Sequence, residues 1–262
     1  MSILERDDLG GVTTLTLNAP ERLNPLSDAM LGALQDTFEA LRDTPECRVI
    51  VLKGAGKAFC AGHDLKEMEA ARDAEGDSGR AAWKALFDRC AEMMQTIPSL
   101  PQPVIAQVHG LATAAGCQLV ASCDLAVAEA GTRFGVNGVN IGLFCSTPMV
   151  ALSRNIPRKQ AFEMLVTGDF LSAEAARDAG LINRVVPEGT LDTEVAQLAD
   201  RIAGKLASAV KVGKTAFYQQ IEMPLADAYA YTGAVMVDNM AHRDTAEGVQ
   251  AFLEKRDPYW KR

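Results

Sequence analysis

No stretch of about 18 uninterrupted apolar residues occurs in this 262-residue chain, so no membrane-spanning helix is expected. Positive charge is in deficit: 26 lysines and arginines face 34 aspartates and glutamates, for a net charge of −8, which argues against a general nucleic-acid role. The six cysteines show no CxxC spacing, so reduced thiols are expected in place of a disulfide framework, with a cytoplasmic location. Only three histidines are present, well dispersed, and no HExxH or Cys/His cluster indicates a metal site. The first eight residues (MSILERDD) are too acidic for a signal peptide. Internal repeats and low-complexity segments are absent as well.

What is present reads as an α/β protein. Residues 12–17 alternate apolar and polar side chains, which predicts a strand. Ser27 is placed to cap a helix on which Met30, Leu31, Leu34, Phe38 and Leu41 recur at helical spacing. A second apolar helix is predicted over residues 81–97, after a charged stretch over 67–80 that reads as a mobile surface segment or a broken helix. Strand-like and helical pieces alternate to about residue 195, as in a layered α/β fold. From there the chain reads as helical, with segments over 198–208, 209–222, 225–239 and 244–255.

Two short segments carry the chemistry. Ala61-Gly62-His63-Asp64-Leu65 follows the β-rich run 49–53, and Ala114-Ala115-Gly116-Cys117-Gln118 follows the run 103–108. Each sits where a strand is expected to enter a helix, and a helix start offers unpaired N–H groups backed by the positive end of the helix dipole. Two such ends facing one cavity would hold a negatively charged oxygen, at about 2.7–4 kcal/mol of transition-state stabilisation per donor. The plain alternative is two glycine-containing turns.

The chain also resembles the crotonase (enoyl-CoA hydratase/isomerase) family. Leu17-Asn18-Ala19-Pro20-Glu21-Arg22-Leu23-Asn24-Pro25-Leu26 and Gly56-Lys57-Ala58-Phe59-Cys60-Ala61-Gly62-His63-Asp64-Leu65 match its pattern. So do His109-Gly110, Cys123-Asp124-Leu125-Ala126-Val127-Ala128, Thr167-Gly168, Gly180-Leu181-Ile182-Asn183 and the closing stretch 244–256. The resemblance implies a crotonase (ClpP/crotonase-like) spiral of ββα units over residues 1–197 and a helical trimerisation region over 198–262. It implies an acyl-CoA substrate, with coenzyme A as part of the substrate and no tightly bound cofactor, and a homotrimer or homohexamer. By position, it makes the backbone N–H groups of His63 and Ala115 the oxyanion-hole donors. Ala61, Asp64, Leu65, Gly116 and Gly138 then line the substrate site. Arg22 and Lys66 fall near the coenzyme A phosphates or adenine, Lys255 near the nucleotide from a neighbouring subunit, and Phe252 near the acyl pocket. Helix capping by Asp64 and ordinary packing by Phe252 are the competing readings.

The resemblance breaks at the acids. Hydratases of this family hold one water between two glutamates, and those positions fall here on Gln118 and Gly138. An amide orients water but does not take its proton near neutral pH, and glycine offers nothing. Ordinary hydratase activity is therefore expected to be weak. The stretch from Val139 to Pro148, with the AGHDL form, is similar to the enoyl-CoA hydratase domain-containing protein 3 branch. AGHD is also similar to methylmalonyl-CoA decarboxylase, where a histidine serves decarboxylation, although Cys145 falls near the place of that enzyme's tyrosine. Three functions stay open: an enoyl-CoA hydratase/isomerase-type enzyme, an acyl-CoA decarboxylase, or a non-catalytic acyl-CoA-binding protein.

Overall fold

The structure, a computed structural model, describes residues 2–72 and 76–260. Strand β1 (Leu4–Leu9) forms an antiparallel pair with β2 (Val12–Leu17), and helix α1 (Asp28–Arg42) then crosses to β3 (Val49–Gly54). Ser27 caps α1 as expected, its hydroxyl accepting the Met30 N–H at 3.2 Å. β1 escapes the sequence reading because its charged residues LERDDL hide the alternation. It is an edge strand, where charge discourages pairing with another chain.

Helix α2 (Leu65–Arg72) and helix α3 (Arg80–Ser99) occupy the charged stretch and the predicted helix after it; residues 73–75 of that stretch lie outside the described residues. Trp83 joins the two, donating its indole N–H to the Met68 carbonyl at 2.8 Å. Two successive ββα turns follow: β4 (Val104–Val108), β5 (Leu111–Thr113) and α4 (Ala115–Ser122), then β6 (Leu125–Glu129), β7 (Arg133–Gly135) and α5 (Pro148–Asn155). Helix α6 (Arg158–Thr167), β8 (Phe170–Ser172), α7 (Ala173–Ala179), β9 (Arg184–Val186) and α8 (Leu191–Ala203) complete the spiral. The main sheet runs β1-β2-β3-β4-β6-β9, parallel except at β1·β2, and a small second sheet runs β5-β7-β8.

The run Val49-Ile50-Val51-Leu52 is continuously apolar because β3 is covered on both faces. Ile50 and Leu52 face the core built with α1 and α3. Val49 and Val51 face a second core against Leu191, Val195, Leu198 and Ala199 of α8. A division after residue 197 therefore falls inside α8, a helix that belongs to the spiral's packing. The break the sequence reading placed near residue 208 lies instead at Gly204, after the apolar period of α8 has run out.

The last three helices are α9 (Ala207–Gln220), α10 (Leu225–Ala241) and α11 (Arg243–Glu254). A buried ion pair ties α9 to the sheet. Lys214 Nζ lies 2.6 Å from Asp124 Oδ2 and also donates to the carbonyls of Ile97 at 2.9 Å and Gln102 at 2.8 Å. The same carboxylate accepts the Val104 N–H at 2.6 Å and the Tyr218 hydroxyl at 2.8 Å. Burial pushes the Lys214 ammonium down from its ordinary value, while Asp124 opposes that shift.

Candidate functional site

The two glycine segments run side by side. Cys60 forms an isolated bridge with Ala112, and Thr113 donates its N–H to the Cys60 carbonyl at 3.0 Å. At the next step Gly62 turns with φ +90°, where a Cβ would lie 2.9 Å from Ala114 Cβ and 3.2 Å from Ala115 N. Only glycine permits both that dihedral and that approach. The contact sets His63 beside the first residue of α4. Neither the His63 N–H nor the Ala115 N–H finds an acceptor among the described residues, while the preceding donor, Ala114 N–H, is used by the Gly135 carbonyl at 2.9 Å.

Ala114 adopts φ +49° and ψ −120°, so the strain that alanine imposes here falls on the residue before the donor and leaves Ala115 helical. Such positions cost of order 1–3 kcal/mol. Ala114→Gly is expected to stabilise the protein by about 1 kcal/mol, read from urea unfolding midpoints; a loss of stability would show that the methyl group is needed against Gly62.

The remaining candidates separate into groups. Ala61 spends its N–H on the Leu23 carbonyl at 3.0 Å, and Gly116 is buried against Cys60. Asp64 is a scaffold residue: one oxygen accepts the Lys66 N–H at 3.0 Å and caps α2, and the other holds the Arg22 guanidinium at 2.6 Å. The same pairing fixes where the Arg22 guanidinium sits, with 42% of its side chain still exposed. Leu65 and Lys66 open α2 and are exposed. Phe252 is 81% exposed on α11, and Lys255 follows that helix, which packs on α10; this chain alone does not bring them to the glycine segments.

Gln118 lies in α4, only 5% exposed, with its amide oxygen unpartnered. Gly138 sits in a 3-10 turn over Asn137–Ile141, where a Cβ would stand 2.2 Å from the Leu143 carbonyl oxygen and 2.9 Å from Cys145 Sγ. The space beside Gly138 is thus filled by backbone and thiol. Burial raises the Cys145 thiol above its ordinary value, which keeps it protonated and unreactive. All six cysteines are free and buried. Among the described residues no group of three or more acidic, cysteine or histidine side chains is arranged to hold a metal ion, and no helix is long and apolar enough to cross a membrane.

The family model for enoyl-CoA hydratase/isomerase matches residues 7–262. The chain belongs to that family. The crotonase fold follows: a solved structure described as enoyl-CoA hydratase from Mycobacterium smegmatis superposes with a TM-score of 0.95 at 54% identity, covering 99% of both chains. Enoyl-CoA hydratase domain-containing protein 3, mitochondrial, from Xenopus laevis is 45% identical over 260 residues, 99% of this chain and 86% of its own length. Its Homo sapiens counterpart is 46% identical over 252 residues, 96% of this chain and 81% of its own length. These names overturn the cytoplasmic expectation, since both relatives are called mitochondrial. Buried reduced thiols fit any reducing compartment, so the cysteine argument never separated the two.

The sequence reading missed the Asp124–Lys214–Tyr218 cluster. Asp124 stood in a quoted motif, but its partners are 90 and 94 positions away, on a helix whose spacing gives no sign of them.

Proposed function

We propose that this enoyl-CoA hydratase/isomerase family member binds acyl-CoA thioesters and stabilises an oxyanion or enolate at the thioester carbonyl. The observation that carries this reading is the pair of unspent N–H groups, His63 and Ala115, brought together across the Gly62 contact. Preorganised donors of this kind act without reorganisation as charge develops. Coenzyme A enters as part of the substrate, its phosphates and adenine met by Arg22 and Lys66 and its nucleotide by Lys255 from a neighbouring copy. A complex with a saturated acyl-CoA tests the reading. Its thioester oxygen should lie about 2.7–3.1 Å from both nitrogens, and an oxygen turned away from both would sink it.

Hydration is not the reaction this site favours, because Gln118 and Gly138 stand where the family's two carboxylates would be. Forming the enolate also needs a bond at the α-carbon to break, either with its proton taken by a base, which Gln118 and Gly138 do not offer, or with a carboxylate leaving as CO2, as in the alternative decarboxylase reading.

A homotrimer or homohexamer belongs to the same proposal. Phe217, Tyr229, Met236 and Met240 are exposed on α9 and α10, with Phe252 and Leu253 on α11, a concentration of large apolar side chains that favours coverage by another copy. Tyr218 and Tyr231 are half-buried and bonded within the chain to Asp124 and Gln219. Sedimentation at micromolar concentration should give three or six chains; a monomer alone would contradict it.

A further inference from the structure

The glycine segments follow the C-terminal ends of β3 and β4. At the other end of the same strands lies a cleft of about 350 Å³, framed by the end of α1, the residues entering β3 and β4, and the junction of α8 with α9. Three cations line it, Arg42, Arg48 and Lys211, against one acid, Asp43. The two arginines are half-buried and held by neutral oxygens. Arg42 donates to the Ser99 carbonyl and hydroxyl, each at 3.0 Å, and Arg48 to the Lys205 carbonyl. Among the described residues none of the three cations forms an ion pair, in a chain whose net charge is −8. Burial is the main reason the Lys214 ammonium behind this corner sits below its ordinary value, and the Arg42 charge adds to that push. The corner carries positive charge that nothing in the fold neutralises.

The start of α9 adds to it. Leu206, the residue before the helix, has no side-chain oxygen to cap it, and the N–H groups of Ala207, Ser208 and Ala209 find no acceptor among the described residues. Ala207, Ser208 and Lys211 all face the cleft, so the positive end of the α9 dipole opens there. Gln102 supplies a separate observation. It forms part of the cleft wall and is only 5% exposed. Its amide nitrogen donates to the Leu41 carbonyl at 2.7 Å, which fixes the orientation of the amide and leaves Oε1 buried without a donor. The cleft thus offers several donors of positive character and one unmet acceptor. Carboxylates and sulfate only accept hydrogen bonds, whereas a phosphate group carries negative oxygens and, near neutral pH, hydroxyl hydrogens on itself or on the alcohol it esterifies.

We propose that this cleft is a second binding site, for a phosphate group, with Arg42, Arg48, Lys211 and the first N–H groups of α9 meeting its oxygens and a ligand hydroxyl donating to Gln102 Oε1. It stands independently of the thioester reading, since no residue of the glycine segments takes part. Guanidinium forks suit phosphate oxygens, and a helix start presents N–H groups to the same anion. The volume leaves room beyond one phosphate ion and falls at the small end of small-molecule sites, roughly 300–1,000 Å³. The free ion and a small monoester share this chemistry. A bound phosphate would also join α9 to the turn after α1, linking the C-terminal helices to the spiral.

The test is calorimetric titration of the whole protein, at low ionic strength, with inorganic phosphate, glycerol 1-phosphate and sulfate. At least one of the two phosphates should bind about tenfold more tightly than sulfate, which has no hydroxyl to offer Gln102. Tighter binding of the ester assigns the site to a monoester, and equal binding assigns it to the free ion. Lys211→Glu, an exposed change on α9, should weaken phosphate about tenfold or more, while Lys211→Arg should stay within about threefold of the unaltered protein. Gln102→Met removes the acceptor at similar volume and should bring phosphate and sulfate to within about twofold of each other. Should Gln102→Met fail to fold, the Lys211 variants decide. Absence of phosphate binding at millimolar concentration, sulfate bound as tightly as both phosphates, or phosphate binding unchanged in Lys211→Glu overturns the inference.

Discussion

Crotonyl-CoA offered to this protein should be hydrated at least about 10⁴-fold more slowly than by a family member carrying both glutamates. Each general acid–base group contributes roughly 10²–10⁴-fold, and both positions lack one here. The Gln118 amide positions a water but takes no proton from it. At Gly138 the deficit is built into the fold: a Cβ there would stand 2.2 Å from the Leu143 carbonyl oxygen, which no side-chain rotation relieves. Gln118→Glu alone should therefore recover part of the rate, while Gln118→Glu with Gly138→Glu should do no better and should unfold at lower temperature. Initial rates from the loss of enoyl thioester absorbance measure this. Efficient hydration by the unaltered protein would mean that another group takes the proton, and the account of the missing acids would fail.

Asp124→Asn should be the most damaging single substitution away from the site. It removes the anion from a pair whose side chains are 6% and 12% exposed and leaves the Lys214 ammonium buried without its counter-charge. Breaking one partner of a buried pair costs about 3–5 kcal/mol, which for a chain of this size lowers the melting midpoint by on the order of 10 °C. Asp124→Leu combined with Lys214→Met removes both charges and should recover most of the loss, because an apolar pair spares the desolvation of two ions. Scanning calorimetry of the variants reads the effect directly. A double variant no more stable than Asp124→Asn would show that the hydrogen bonds to Val104 and Tyr218, not the paired charges, hold α9 in place.

Local signals were legible where chemistry and spacing coincide. Ser27 caps α1 because a hydroxyl just before an apolar helical period has few other uses, and the two glycine segments announced a close meeting of backbones. The strand β1 and the boundary between α8 and α9 were not legible. Charge masked the first, and in the second the pairing of α8 with Val49 and Val51 is a long-range fact that periodicity does not encode. At the site, the sequence put His63, Ala115 and Gln118 in candidate roles but was silent on which hydrogen bonds are already spent. Arg22 and Asp64 read as two separate ligand candidates, and their mutual contact at 2.6 Å was not visible in the sequence. The glycine at position 138 was visible; that Leu143 and Cys145 occupy the space beside it was not.

The proposed oxyanion hole is open to one direct measurement in solution. Infrared spectroscopy of a saturated acyl-CoA carrying a ¹³C label at the thioester carbonyl isolates that bond's stretch from the protein background. Two N–H donors aimed at the oxygen draw electron density out of the C=O bond, so the labelled stretch should move to lower frequency on binding. A bound thioester whose stretch stays at its value in an apolar solvent would contradict the account, because it would place the carbonyl in the pocket with neither His63 nor Ala115 donating to it.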